Sequence, residues 1–440
     1  MIREVVTPEF LRERALELEG RHVPPPRPRP LDGLLESRNR AAPFIPRDPE
    51  QSLLQSALEE GIESDPAIVV EPAATDDPCG PVRPDAPAPR AANEKLAGPY
   101  GPNDFGWLKT KVAELKNARD TWAPFSDEPV SATLAADARV LLVSDWGTGL
   151  RGAEEVGIHL RAKVQEAAKR GTEVHVIHLG DVYYCGTPRE YARNFLEYWP
   201  VQVGDGFERV YSWNVNGNHD MYSGGHGYFE LIAGEGDPRA ALFKQQGGCS
   251  YFRLANDQWR IYGLDTAYYK DQDLGDDQLA WIRRELRADG GKAILLSHHQ
   301  LASVYDRARV NGVLRKALDD DLKAGRVRAW FWGHEHRCIR YRPYAEIEYP
   351  RCIGNGGVPE VTDPTPFSIV KKATGWVTAL FKHRGAGLPP RILSEDKDTW
   401  PADGVHWRRH GFVCLDLRGA AIKAAYIDQC GTEIWSEDLM

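Results

Sequence analysis

The chain has 440 residues, 42% of them hydrophobic, and its 64 acidic and 55 basic side chains give a formal net charge of -9. That length suits two domains, or one large domain with extensions, and the apolar content is enough to bury a core. The acidic balance argues against the broad basic face of a nucleic-acid or membrane-surface binder, and no apolar run approaches the length of a membrane span.

Residues 1–130 differ from the rest. A short helix is predicted over 8–18, followed by VPPPRPRP, which favours extended polyproline. Residues 65–90, rich in Pro, Ala and Asp, read as linker, and a second helix over 107–119 carries Leu108, Val112 and Leu115 at helical spacing. We expect an N-terminal extension here, with no role assigned and protein partners unknown. The first residues show neither an apolar h-region nor a cleavage site, and the seven cysteines form no C-x-x-C pair. The expectation is a cytoplasmic protein with reduced thiols.

From Ala138 the pattern becomes regular, and 131–440 read as one domain. ARVLLVS is a predicted strand, Glu154 to Arg170 a helix ended by Gly171, and EVHVIHL a second strand. A helix opens at Pro188, RVYSWNVN is a third strand, and two paired strands meet at Asn256-Asp257. Then come a helix over 276–287, the strand KAILLS, a helix over 313–323 and the strand RAWFW. Residues 358–410 look like an insertion rich in Pro, Gly and basic side chains, and 411–440 look like a β-meander. Alternating α/β units with added antiparallel strands predict two sheets flanked by helices.

Five apolar runs end in polar clusters: VSDWGTG (143–149), HLGDVYY (178–184), NVNGNHD (214–220), LLSHHQ (295–300) and FWGHEHR (331–337). Sites in α/β sheets gather beyond the carboxyl ends of strands, so these clusters can converge. Carboxylates, a carboxamide and imidazoles form the donor set of a dinuclear metal site. Singly, each has an ordinary reading. Asp145 and Asp181 could cap the helices that follow, and Tyr184 could pack on the sheet. His334 and His336 alternate along what reads as an extended segment, which would point both to one side. His175 and His178 read as structural, His226 lies in a loop where it could face the site, and Gly354-Asn355-Gly356-Gly357 reads as a turn allowing close backbone approach.

Taken in order, the five clusters resemble the motif blocks of the calcineurin-like metallophosphoesterases, over about Ala138 to Gly357. They most resemble the purple acid phosphatase branch, including its tartrate-resistant type. Most branches have Asp-x-His in the first block, whereas here Asp145-Trp146-Gly147 lacks the histidine. The purple branch shares that loss and supplies a tyrosine, matched here by Tyr184. The resemblance implies a four-layer sandwich of two mixed β-sheets flanked by helices, an α/β (α+β) fold. It implies a first metal on Asp145, Tyr184 and His336, a second on Asn218, His298 and His334, and Asp181 bridging. It also implies His219 near the leaving group, Asp220 orienting it and raising its pKa, and His299 as substrate contact or fallback ligand. A phenolate favours Fe3+, so the expected cofactors are Fe3+ plus a divalent Fe, Zn or Mn. The implied activity is hydrolysis of a small-molecule phosphate ester by metal-generated hydroxide, most simply a phosphomonoester. Alternatives are a phosphodiesterase acting on nucleotides or lipid head groups, and a non-catalytic binding module on the same fold.

Overall fold

The computed structural model describes residues 122–269, 272–288, 291–303, 312–359, 391–394 and 408–439, besides isolated positions between 49 and 56. The elements expected over 8–119 and most of the 358–410 insertion lie outside the described residues. The chain forms β1 (Val130–Thr133), β2 (Asp137–Val143), helix α1 (Arg151–Lys169), β3 (Glu173–His178), β4 (Val210–Asn214), helix α2 (His226–Ala233), β5 (Phe252–Ala255) and β6 (Trp259–Leu264). Helix α3 (Asp276–Arg287), β7 (Lys292–Ser297), helix α4 (Gly312–Lys323), β8 (Val327–Trp332), β9 (Cys338–Arg340) and β10 (Tyr349–Ile353) follow. After β11 (Arg391–Ile392), the chain closes with β12 (Gly411–Arg418), β13 (Ala421–Asp428) and β14 (Glu433–Leu439).

Two mixed sheets result. One runs β1-β5-β6-β7-β8-β10-β9-β11 and the other β14-β13-β12-β2-β3-β4. The period of two along each strand builds the layers. In β2, Val140 and Leu142 join Ile177, Ile261, Ile294, Leu296, Phe331 and Leu415 in the core between the sheets. The alternate residues Leu141 and Val143 face outward to Val156, Leu160 and Val164 of α1. In β7, Leu295 packs with Trp281 and Ile282 of α3 and Leu318 of α4. The order is therefore helix, sheet, sheet, helix, as the resemblance implied. Leu296 is fully buried, so Leu296→Ala would cost about 2–5 kcal/mol of stability.

Register positions the site. Val143 pairs with His178 and His178 with Asn214 in one sheet. Leu264 pairs with Ser297 and Ser297 with Trp332 in the other. Each group of parallel strands thus ends at one level, and the polar clusters lie just beyond. The Gly356 N–H donates to the Ser144 carbonyl at 3.0 Å and bonds the loop after β10 to the end of β2. The thiols depart partly from expectation: Cys185, Cys249, Cys338, Cys352 and Cys414 are buried and free, but Cys430 is disulfide-bonded.

Candidate metal centre

The loops leaving β2, β3, β7 and β8 and the short helix Asn218–Met221 bring the predicted donors together. Each aspartate divides its oxygens between scaffold and site. Asp145 Oδ2 accepts from the Ser144 hydroxyl and the His334 N–H, both at 2.8 Å. Its Oδ1 lies 3.1 Å from the Tyr183 hydroxyl and 3.5 Å from His336 Nε2. Asp181 Oδ1 accepts from the His219 N–H at 2.9 Å, and its Oδ2 faces Tyr183 at 3.1 Å and His298 Nε2 at 3.3 Å. His298 Nδ1 is 2.9 Å from the Leu179 carbonyl, which fixes the tautomer and aims Nε2 inward.

Two constellations emerge, and they share one atom. Tyr183 Oη lies 3.1 Å from Asp145 Oδ1, 3.1 Å from Asp181 Oδ2 and 3.2 Å from His336 Nε2. His298 Nε2 lies 3.1 Å from Asn218 Oδ1, 3.2 Å from His334 Nδ1 and 3.3 Å from the same Asp181 Oδ2. Donors about 2.1 Å from one ion on neighbouring vertices stand about 3–3.4 Å apart, the spacing seen here. Asp145, Asp181 and His298 present ligand atoms within 4.8 Å of one another, as do His298, His299 and His334. This donor set fits a pair of cations.

The electrostatics are those of a site that needs positive charge. Burial, with the Asp181 carboxylate close by, pushes Asp145 up to about 7, although His298 pulls the other way. Burial also acts upward on Asp181, but His298, His219 and His334 outweigh it and hold that carboxyl well below its ordinary value. Burial acts downward on His298, yet Asp181 and Asp145 raise it to about 9. Burial and both aspartates raise the Tyr183 phenol well above its ordinary value.

Backbone geometry carries a similar mark. Asp145, Asp181, His334 and His336 have φ of 54°, 74°, 68° and 51°, in the left-handed region that non-glycine residues seldom occupy. Such strain concentrates at functional sites. It also corrects the expected cause of the His334/His336 pairing: a turn of left-handed residues, rather than an extended segment, presents the two rings.

A model of the calcineurin-like phosphoesterase family matches residues 138–338. This segment belongs to the calcineurin-like metallophosphoesterases. None of the curated proteins matches the chain. Among solved structures, GAP50, the anchor in the inner membrane complex of Plasmodium, is similar at 12% identity and a TM-score of 0.44, covering 69% of this chain and 88% of its own. A dimetal phosphatase from Danio rerio is similar at 12% identity and a TM-score of 0.42, covering 71% of this chain and 99% of its own.

Within this phosphoesterase domain two expectations need correction. First, the phenol hydroxyl at the aspartates belongs to Tyr183, one residue before the expected Tyr184. The Tyr184 backbone is tied down instead: its N–H donates to Glu190 at 2.6 Å and its carbonyl faces His219 Nδ1 at 2.6 Å. Second, Asp220 does not orient the His219 ring. Its Oδ1 accepts from the Val182 N–H and the Tyr191 hydroxyl, and its Oδ2 from the N–H groups of Asp181 and Gly217, at 2.7–2.9 Å. Asp220 thus clamps the loop that carries Asp181, and the Tyr184 carbonyl orients His219. His299 Nδ1 bonds to Thr266 Oγ1 at 3.0 Å, and its ring centroid is 4.8 Å from that of His334. It flanks the second constellation.

Gly147 explains the missing histidine physically. A Cβ there would lie 2.7 Å from Val182 Cγ2 and 3.0 Å from Val182 Cα, so the phosphoesterase domain has no space for a side chain at that position. A Cβ at Gly354 would lie 2.8 Å from Asp145 Oδ2, in keeping with the close approach expected of that turn. Sequence reasoning missed Tyr183, Glu190, Tyr191, Tyr222 and Thr266. Only Thr266 had a usable signal, because β6 ends in Asp265-Thr266 like the other polar strand ends. No described helix is long and apolar enough to cross a membrane.

Proposed function

We propose that this domain is a dinuclear-metal phosphomonoesterase of the purple acid phosphatase type. Asp145, Tyr183 and His336 would hold Fe3+; Asn218, His298 and His334 would hold a divalent Fe, Zn or Mn; and Asp181 would serve both. The observation that carries this reading is the sharing of Asp181 Oδ2 by the two constellations. The phenol at the first constellation supports a hard trivalent ion there. When bound, such a pair supplies Lewis acidity and lowers the pKa of water to about 7.

The chain's own residues do the rest. The two aspartates fix the spacing of the site, and their outward oxygens are held by Ser144, His334 and His219 backbone or hydroxyl donors. His219 keeps Nδ1 on the Tyr184 carbonyl and uses Nε2 to exchange a proton with the leaving oxygen. His299, held by Thr266, lines the place of the substrate phosphate.

The test compares turnover of an aryl phosphate with that of a bis-aryl phosphate on protein loaded with Fe, Zn or Mn, alongside Asp181→Asn. Monoester turnover that Asp181→Asn abolishes, together with metal content, is expected. Metals and turnover retained in Asp181→Asn overturn the site. Strong diester preference moves the activity to a phosphodiesterase, and two bound metals without turnover to a binding module.

A further inference from the structure

The carboxamide of Asn218 must present oxygen, not nitrogen, to a cation. The terminal torsion of Asn is broad and nearly two-fold, so packing alone rarely decides which end points where. Here both ends are engaged. Oδ1 lies 3.1 Å from His298 Nε2, inside the second constellation. Nδ2 lies 2.6 Å from the Tyr222 hydroxyl, one helical turn along. Tyr222 is half-buried, and its ring packs on His219 with centroids 4.6 Å apart and planes at 47°. The ring is therefore seated independently of the hydroxyl.

We infer that Tyr222 is the positioning residue of the second cation: its hydroxyl oxygen accepts the Asn218 amide proton and holds Oδ1 toward the metal. This rests on the dinuclear reading above and adds to it a residue that none of the five sequence clusters contains. With Oδ1 on a cation, Nδ2 keeps two protons that need acceptors, and Tyr222 Oη satisfies one of them. Partners that orient a metal ligand are commonly worth 10–100-fold in affinity.

The experiment titrates metal-free full-length protein with Mn2+ and follows bound metal by calorimetry and by electron paramagnetic resonance, which separates coupled pairs from single ions. In Tyr222→Phe the ring contact with His219 is preserved. One Mn2+ is expected to bind as in wild type and the other about 10–100-fold more weakly, with single-ion signals where wild type shows a coupled pair. Unchanged affinity for both ions in Tyr222→Phe overturns the inference, and so does equal weakening of both, which marks a merely structural role. If wild type binds no pair of ions, the dinuclear reading falls first and this inference with it.

Discussion

Replacing Tyr183 and Tyr184 separately by Phe distinguishes the two adjacent phenols. Tyr183 is 1% exposed, and its hydroxyl lies 3.1 Å from each aspartate and 3.2 Å from His336. It has one proton, so in the metal-free protein it serves one carboxylate at a time. A hydrogen bond to a charged group is worth about 1.5–3 kcal/mol, the loss expected for Tyr183→Phe in urea unfolding of metal-free protein. The same energy lost from the first metal's donor set is about 10- to 150-fold in affinity, at about 1.4 kcal/mol per decade. The direct assay is visible absorption of protein loaded with Fe3+. A phenolate-to-iron charge-transfer band is expected in wild type and in Tyr184→Phe, and is expected to vanish in Tyr183→Phe. A band that survives Tyr183→Phe and disappears in Tyr184→Phe would refute the assignment and restore the tyrosine chosen from the motif.

Acidity should tune the metal-free protein in a specific direction. Asp145, raised by burial to about 7, contributes stability that is present below its unfolded value near 3.8 and lost as pH rises through about 7. His298, raised to about 9 by the aspartates against its burial, contributes stability present below 6.5 and lost as pH rises through about 9. Below about pH 6.5 the buried His178 and His410, pushed down to about 3 and 4 by burial, act in the opposite sense, so urea midpoints of metal-free protein should fall between pH 7 and 9, while metal binding should strengthen and release protons, measurable by calorimetry in buffers of different ionisation enthalpy. A midpoint that rises over that interval contradicts the charge arrangement. Asp220→Asn should destabilise the protein by at least about 1.5–3 kcal/mol and lower metal content, because four donors converge on that carboxylate. Any residual activity should keep the wild-type pH profile; a shift in the limb assigned to His219 would return Asp220 to the role expected from sequence. Gly147→His should cost about 1–3 kcal/mol through overlap with Val182 and should not raise metal stoichiometry, both checked by unfolding and metal analysis.

The layered fold was legible because β2, β3, β7 and β8 are each dominated by apolar residues and each runs directly into a polar cluster. Those ends carried most of the candidate donors. What the sequence concealed was local. Tyr183 and Tyr184 are neighbours with the same side chain, both buried, and no pattern states which hydroxyl meets the aspartates when the preceding Asp181 adopts a left-handed backbone. Asp220 followed a histidine and looked like its partner, but the N–H groups of Asp181 and Val182, 39 and 38 residues earlier, compete for the same oxygens and take them. Tyr222 fell outside the motif because its contact to Asn218 follows from helical spacing and not from a conserved-looking string.

These local departures have a common physical origin. The loop 180–187 has to bring Asp181 Oδ2 to a point reached from both sheets, and no regular element does this. Two buried carboxylates do it instead: Asp220 gathers the N–H groups of Asp181 and Val182, and Glu190 gathers those of Tyr184, Cys185 and Thr187. Glu190 in turn opens the next helix with a capping box to Thr187. Left-handed residues each cost about 1–3 kcal/mol, and four candidate ligands adopt that conformation, so the surrounding hydrogen bonds must over-determine the loops. The shared oxygen between the two constellations is thus a product of this stitching. Its position depends on Asp220 and Glu190 as much as on the residues that would touch the cations.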